Sequence, residues 1–253
     1  MSRLVSLYDR RRRLAWIRPP KHNASNRERV DGVARKELQV FVDKETQPAV
    51  NVASEDSIFG RVERRELPDV LRFWKNTECL IRGKARNPRY GWYNEELAET
   101  LKVPVVERST GGGVVYNDLG NLNWSFYTEA TGVFLAPETL FQRAAVFVVD
   151  ALRLGGFDAR FSRPNRIDVS GKKVSGMAAR STRRAHLVHG TLLIDTDLER
   201  LNRLCIAPPA CPPVSNLREW QPESDEEVLE AAIVERLDHS GYEVTKVDSL
   251  QAT

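Results

Sequence analysis

Apolar positions in this chain switch repeatedly between strict alternation and helical spacing, and the switches predict a mixed series of elements. Leu38 to Asp43 alternates as a strand, and Pro48 precedes a helix over Ala49 to Val62 that carries Val52, Ile58 and Phe59 near one face. Leu71–Trp74 and Cys79–Gly83 predict two strands joined by a turn at Asn76 and Thr77. Asn94 is placed to cap a helix running to about Leu101. Strand, glycine loop and strand follow over Val105 to Tyr116, with a further strand over Asn121 to Tyr127. Pro137 suits the first turn of a helix that ends at Gly155 and Gly156, and its stripe of Leu140, Phe141, Ala144, Val148 and Leu152 is core packing. Arg166–Val169 and Lys173–Ser175 predict a hairpin around Ser170 and Gly171. Val188 to Ile194 supplies another strand and Leu198 to Leu204 a short helix. Pro208, Pro209, Pro212 and Pro213 then mark a rigid connection, and Ser224 with Glu227 predicts a capping box opening a helix to about Leu237. Strands and helices do not alternate regularly, so the order predicts an α+β fold, not a doubly wound one.

Within that series, the triplet Gly111, Gly112 and Gly113 interrupts two β-branched stretches. Bare glycines weaken an ordinary strand, and are explained where another backbone or a ligand approaches the main chain closely. Arg108 stands before them, with Asp118 and Asn121 after. Charge, bare amides and polar ends around one turn suggest a nucleotide or acyl-phosphate site; the plainer alternative is a glycine-rich surface loop. A second segment places Lys172 and Lys173 after the predicted tight turn, followed by Ser175 and Gly176. Neighbours on a strand point to opposite faces, so only one lysine can serve a pocket, where it would act as a point charge on a phosphate or developing oxyanion. A third segment starts at His189, Gly190 and Thr191, where the histidine alone is as consistent with a structural group.

Composition narrows the field. The 253 residues are 41% hydrophobic and 29% charged, as expected of a globular chain with a sizeable core. A net charge of +3 is too mild to argue a nucleic-acid partner, and suits an acidic protein or a phosphate-bearing ligand. Cys79, Cys205 and Cys211 form no paired motif, so neither a disulfide framework nor a metal site is predicted. No apolar stretch has membrane-spanning length and no secretory core follows Met1, so the expectation is a cytoplasmic protein without a membrane partner. Residues 1–38, with the run Arg10 to Arg13, read as a basic, poorly ordered tail. The phosphate-loop and dinucleotide glycine motifs are absent, as are GxSxG and HExxH.

Taken together, the three segments resemble the lipoate–protein ligase A family, within the wider group of biotin and lipoate protein ligases. The resemblance rests on Arg108 to Asn121, on Gly171 to Gly176 and on His189 to Leu193, in that order, with further likeness at Pro48–Asn51, Leu71–Trp74 and from Gly83 through Asn87. It covers about Gln39 to Leu204, and makes residues 39–253 a ligase-type catalytic domain with a short C-terminal helical extension. The fold it implies is a mixed sheet flanked by helices, related to the catalytic fold of class II aminoacyl-tRNA synthetases. The activity it implies has two half-reactions: lipoate and ATP, with Mg2+ accompanying the nucleotide, give lipoyl-AMP. The acyl group then passes to a lysine on a lipoyl domain of a 2-oxoacid dehydrogenase or on a glycine-cleavage H protein, and a separate accessory subunit is a possible further partner.

By family position Lys173 is the catalytic lysine and Lys172 the outward one. The adenylate would be held by Arg108, Gly111, Gly112, Gly113, Val114, Val115, Tyr116, Asn117, Asp118, Asn121, Lys173, Ser175 and Gly176. The lipoate pocket would be bordered by Arg108, Gly113, His189, Gly190 and Thr191. Two positions depart from the family: Asn117 stands where a histidine is usual, and Asn165–Arg166 where Asn-Asp is usual. Two other activities stay open at this level. An octanoyltransferase on the same fold would need a cysteine nucleophile, for which Cys205 and Cys211 fall on the appropriate side of the His189 strand without matching its surroundings. A non-catalytic member would bind octanoate, lipoate or a lipoylated protein without turnover.

Overall fold

The computed structural model describes residues 35–84, 91–208 and 211–250. Most of the basic tail expected over 1–38, together with Pro209 and the stretch to Asn87 beyond Lys84, lies outside the described residues. From Lys36 the chain is already strand.

The chain runs through β1 (Lys36–Val42), α1 (Pro48–Glu63), β2 (Asp69–Trp74), β3 (Cys79–Arg82), β4 (Trp92–Tyr93) and α2 (Glu95–Thr100). It continues through β5 (Val105–Glu107), β6 (Val114–Asn117), β7 (Asn121–Glu129), α3 (Pro137–Leu154), β8 (Ala159–Ser162), β9 (Arg166–Val169) and β10 (Lys172–Ser181). Last come β11 (Ala185–Leu193), α4 (Leu198–Leu204), β12 (Cys205–Ile206), α5 (Glu226–His239) and β13 (Tyr242–Val247). An eight-stranded sheet has the order β13-β1-β2-β7-β11-β10-β9-β8, and a smaller sheet the order β5-β3-β6. β1 pairs parallel to both neighbours, while β2 through β8 pair antiparallel, so the large sheet is mixed.

Alternation along β7 sorts the layers. Leu122, Trp124 and Phe126 face α3 and α5, which contribute Leu140, Phe141, Ala144, Val148, Leu229, Ile233 and Leu237 to the largest core. Tyr127 faces the other way and packs with Ile58, Phe59 and Val62 of α1. The small sheet packs on α2 and α4 through Leu80, Ala98, Tyr116 and Leu204, and meets α1 and β2 through Val52, Trp74, Cys79 and Ile81. At roughly 1.5–3 kcal/mol per fully buried large apolar side chain, the stripe of α3 is among the main contributors to the fold. The interface between the two sheets is where side chains of opposite origin converge.

Three expectations are corrected. β2 and β3 do not pair: the turn between them carries the chain from the large sheet to the small one, where β3 lies between β5 and β6. The helix after the proline-rich connection is capped by Asp225, whose carboxylate accepts the Glu227 N–H at 2.8 Å, while the Ser224 hydroxyl donates to Gln221 O. A neighbouring acceptor with a full charge wins the cap. The C-terminal extension is more than a helix, since β13 pairs with β1 from Lys36 opposite Tyr242 to Phe41 opposite Val247.

Candidate active site

A cavity of about 440 Å3 opens between the two sheets, within the range typical of small-molecule sites. One wall is the glycine loop and β6, through Gly112, Gly113, Val114, Val115 and Tyr116; the other is β10 and β11, through Lys173, Ser175, Gly176, His189, Gly190 and Thr191. Both expected segments therefore converge on one space, although β6 and β10 belong to different sheets.

The loop is held by Arg108, whose side chain is buried. Its Nη2 donates to Gly111 O at 2.9 Å and Gly113 O at 3.1 Å, its Nη1 to Ile81 O at 3.0 Å, and its Nε to Thr110 Oγ1 at 2.9 Å. Gly112 has φ +99, a left-handed conformation, and a Cβ there would meet Arg108 Nη2 at 3.0 Å. From beneath, Gly83 approaches so closely that a Cβ would stand 2.5 Å from Gly112 O. The triplet thus admits a backbone on one side and the cavity on the other. Burial lowers the Arg108 pKa to about 10, which leaves the guanidinium charged at neutral pH. No carboxylate among the described residues forms an ion pair with it.

A hydrogen-bonded chain leads from that arginine to the far sheet. Thr110 Oγ1 lies 2.8 Å from His189 Nε2, and His189 Nδ1 lies 2.9 Å from both oxygens of Glu55. The Glu55 carboxylate assigns the donor role to Nδ1, and Nε2 is hydrogen-bonded to the Thr110 hydroxyl. Ser125 donates to Glu55 at 2.6 Å and Trp74 Nε1 donates to Ser125 at 2.9 Å. Burial alone would raise the Glu55 pKa; His189, Ser125 and Arg72 outweigh it and hold the carboxyl below its ordinary value. Glu55, Trp74 and Asn123 line the cavity and were not foreseen from the sequence. Glu55 is one of several charged positions on α1, and its partner lies 134 residues away.

The two lysines separate as the strand geometry requires. Lys172 Nζ pairs with Glu219 at 2.7 Å on the surface. Lys173 lines the cavity, and no carboxylate among the described residues pairs with its ammonium. Its orientation comes from a β-bulge between Lys173 and Ser175. Lys173 N donates to Pro213 O at 2.9 Å and Lys173 O accepts from Ser215 N at 3.0 Å, so the proline-rich connection holds the bulge in place. The ammonium then rests over Gly176, where a Cβ would stand 3.2 Å from Nζ.

Other expected residues sit behind the site. Asn117 is buried, and its Oδ1 accepts from Asn123 Nδ2 at 2.7 Å and Asn76 Nδ2 at 3.2 Å. Asp118 accepts from Gly120 N and Asp197 N, and Asn121 is buried against Asn123. These three, with Gly111, brace the loop and β7 and are not among the residues lining the cavity. Cys205 and Cys211 do line it; burial pushes the Cys205 thiol up to about 12.

Comparison with known proteins follows the same lines. The family model for the lipoyl protein ligase A/B catalytic domain matches residues 47–237. A lipoate-protein ligase A from Psychrobacter cryohalolentis is 31% identical over 214 residues, covering 78% of this chain and 59% of that protein. Across the curated relatives it matches, the chain spans about half their length. A lipoate-protein ligase A structure bound with ATP superposes with TM-score 0.72 at 21% identity, covering 84% of this chain and 89% of that one. A bipartite lipoate protein ligase from Thermoplasma acidophilum, described with its E2 lipoyl domain, gives TM-score 0.70 at 21% identity over 86% and 87%. Those two likenesses establish a shared fold. With the family match extending over most of the chain and over every wall of the cavity described above, the chain belongs to the lipoyl protein ligase A/B catalytic domain family.

Proposed function

We propose that this chain activates lipoate with ATP and transfers the lipoyl group to a lysine of a lipoyl domain or H protein. The observation that carries the reading is the Lys173 ammonium, without a carboxylate partner among the described residues and set in a cavity opposite a glycine loop. Attack of the lipoate carboxylate on the α-phosphorus forms one P–O bond and breaks another, and the electron pair leaves on pyrophosphate. Negative charge accumulates where Lys173 and the loop amides can stabilise it. The acceptor amine then attacks the acyl carbon, the bond to AMP breaks, and an amide forms with loss of a proton.

The residues do not fit a divalent cation held by the protein. Among the described residues no cluster of three or more His, Cys, Asp or Glu side chains could hold a metal. Glu55, the cavity's carboxylate, is bonded to His189 and Ser125. Magnesium in this reading is a companion of the triphosphate. No helix among the described residues is long and apolar enough to cross a membrane, and the reading assigns the protein to the cytoplasm, where ATP and carrier proteins are found. By analogy with the bipartite archaeal ligase, a separate accessory subunit belongs among the partners to be tested.

Cys205 and Cys211 in the cavity lining favour one second reading, octanoyl transfer from acyl carrier protein through a thioester. The raised Cys205 pKa opposes it. Intact-mass analysis of an apo lipoyl domain separates the two. A lipoyl mass gain that requires ATP supports the ligase; an octanoyl gain from octanoyl carrier protein without ATP replaces it with the transferase. No gain in either tube, with or without an accessory subunit, removes both.

A further inference from the structure

The hairpin that presents Lys173 carries a second cation toward the same space. In the β9–β10 ladder Arg166 stands directly opposite Gly176, and Asp168 opposite Lys173. Arg166 and Asp168 are two apart on one strand and share a face, so Lys173, Gly176, Arg166 and Asp168 form a single patch. Gly176 has no side chain, and the Lys173 ammonium occupies that place. Arg166, across the ladder from the same glycine, also lines the cavity. Asp168 is buried, and its two oxygens take the Arg166 Nε–H at 3.0 and 3.2 Å. Neither terminal nitrogen of Arg166 has a hydrogen-bond partner among the described residues. Asn165 fixes the start of the strand, with Nδ2 donating to Met177 O and its own carbonyl accepting from Met177 N. The guanidinium is thus oriented from behind through Nε, with its terminal amino groups unspent among the described residues.

The charge balance of the cavity points the same way. Its lining holds Arg108, Arg166 and Lys173, against Glu55, which is engaged by His189, and Asp168 behind the lining, which is engaged by Arg166, so that one cation remains in excess. A site with excess positive charge and no carboxylate cluster is built for an anion that arrives without a protein-held metal. We propose that Arg166 is a phosphate-binding residue that acts with Lys173 as a two-cation clamp on the nucleotide, in place of a protein-held divalent cation. Asp168 serves as its positioning residue. The inference deepens the ligase reading and rests on it for the identity of the ligand, ATP. A planar guanidinium that keeps its two terminal amino groups for a ligand suits a phosphate.

The test is calorimetric titration of the full chain with ATP, once with Mg2+ and once with EDTA, with adenosine as the uncharged control. The wild type is expected to bind ATP in EDTA within about threefold of its Mg2+ affinity. Arg166→Gln is expected to lose about ten- to hundredfold in EDTA, the size of a charge-assisted contact, while adenosine binding stays unchanged. Arg166→Lys should recover part of the loss. Arg166→Gln combined with Asp168→Asn avoids a stranded buried carboxylate and should show the same loss in a folded protein. ATP binding that requires Mg2+ in the wild type, or an unchanged affinity in the double variant, overturns the clamp and leaves the ligase reading standing. Metal-free, Arg166-dependent ATP binding without any lipoyl transfer keeps the clamp and removes the ligase reading. No ATP binding under either condition overturns both.

Discussion

Lys173 and Lys172 are adjacent, carry the same charge, and are expected to behave oppositely. Lys172→Ala loses an exposed ion pair with Glu219, a contact worth little, and should leave lipoate-dependent pyrophosphate release within about twofold. Lys173→Ala removes a cavity ammonium that has no carboxylate partner among the described residues and should lower that rate by at least about a hundredfold. Equal effects would sink the assignment. Cys205, its pKa raised to about 12 by burial, should resist iodoacetamide at pH 8 when followed by peptide mass, and Cys205→Ser should leave lipoyl transfer intact. Glu55 gives the pH prediction. Its folded pKa lies below the ordinary 4.5, so its contribution to stability is present above that value and is lost as pH falls below it. Glu55→Gln should therefore flatten the acid limb of stability, measured by urea unfolding at pH 7 and pH 3.5. The lysine pair was legible because strand geometry alone assigns one of them inward. Glu55 was not, because a carboxylate on an amphipathic helix carries no local sign of a histidine far along the chain.

At the scale of elements, the turn chemistry was the readable part. Ser170 at φ 47 and Gly171 at φ 84 make the expected tight hairpin, and Asn94 caps α2 by accepting from Leu97 N. What local sequence did not hold was which sheet a strand joins. The turn at Asn76 and Thr77 was visible, but not that β3 leaves β2 for the small sheet. The bulge at Lys173 was equally hidden, because it is held by backbone bonds to Pro213 and Ser215 from the far side of β11 and α4. Two glycines distinguish scaffold from site. Gly83→Ala would drive a Cβ into Gly112 O, a backbone atom, and should destabilise by about 1–3 kcal/mol. Gly176→Ala presses only on the flexible end of Lys173, so the melting temperature should hold while adenylate formation falls about tenfold.

For the whole molecule, the α+β class is legible in the sequence because irregular element order is a global property of it. The C-terminal strand escaped that reading, since six residues at the end of a chain show little periodicity without their partner. β13 extends the large sheet at β1, and Tyr242 packs edge-on against Phe126 with ring centroids 5.9 Å apart. Ending the chain at Ser240 should lower the melting temperature by about 10 °C, from a loss of a few kcal/mol, without changing ATP affinity, because none of β13 lines the cavity. Thermal unfolding followed by circular dichroism, with a parallel ATP titration, checks both halves.

The buried arginine under the glycine loop also bears on how the molecule opens. Arg108 grips the small sheet at Ile81 and the loop at Gly111 and Gly113, and through Thr110 it reaches His189 of the large sheet. A loop of three glycines would ordinarily fray on its own, exchanging its amide hydrogens with solvent at the low end of the free-energy scale. Here the segment cannot lift without parting bonds that span both sheets. Its slowest exchanging hydrogens, including Gly83 N–H on Gly113 O, should therefore follow the opening of the two sheets together, so that loop and strand breathe as one cooperative unit.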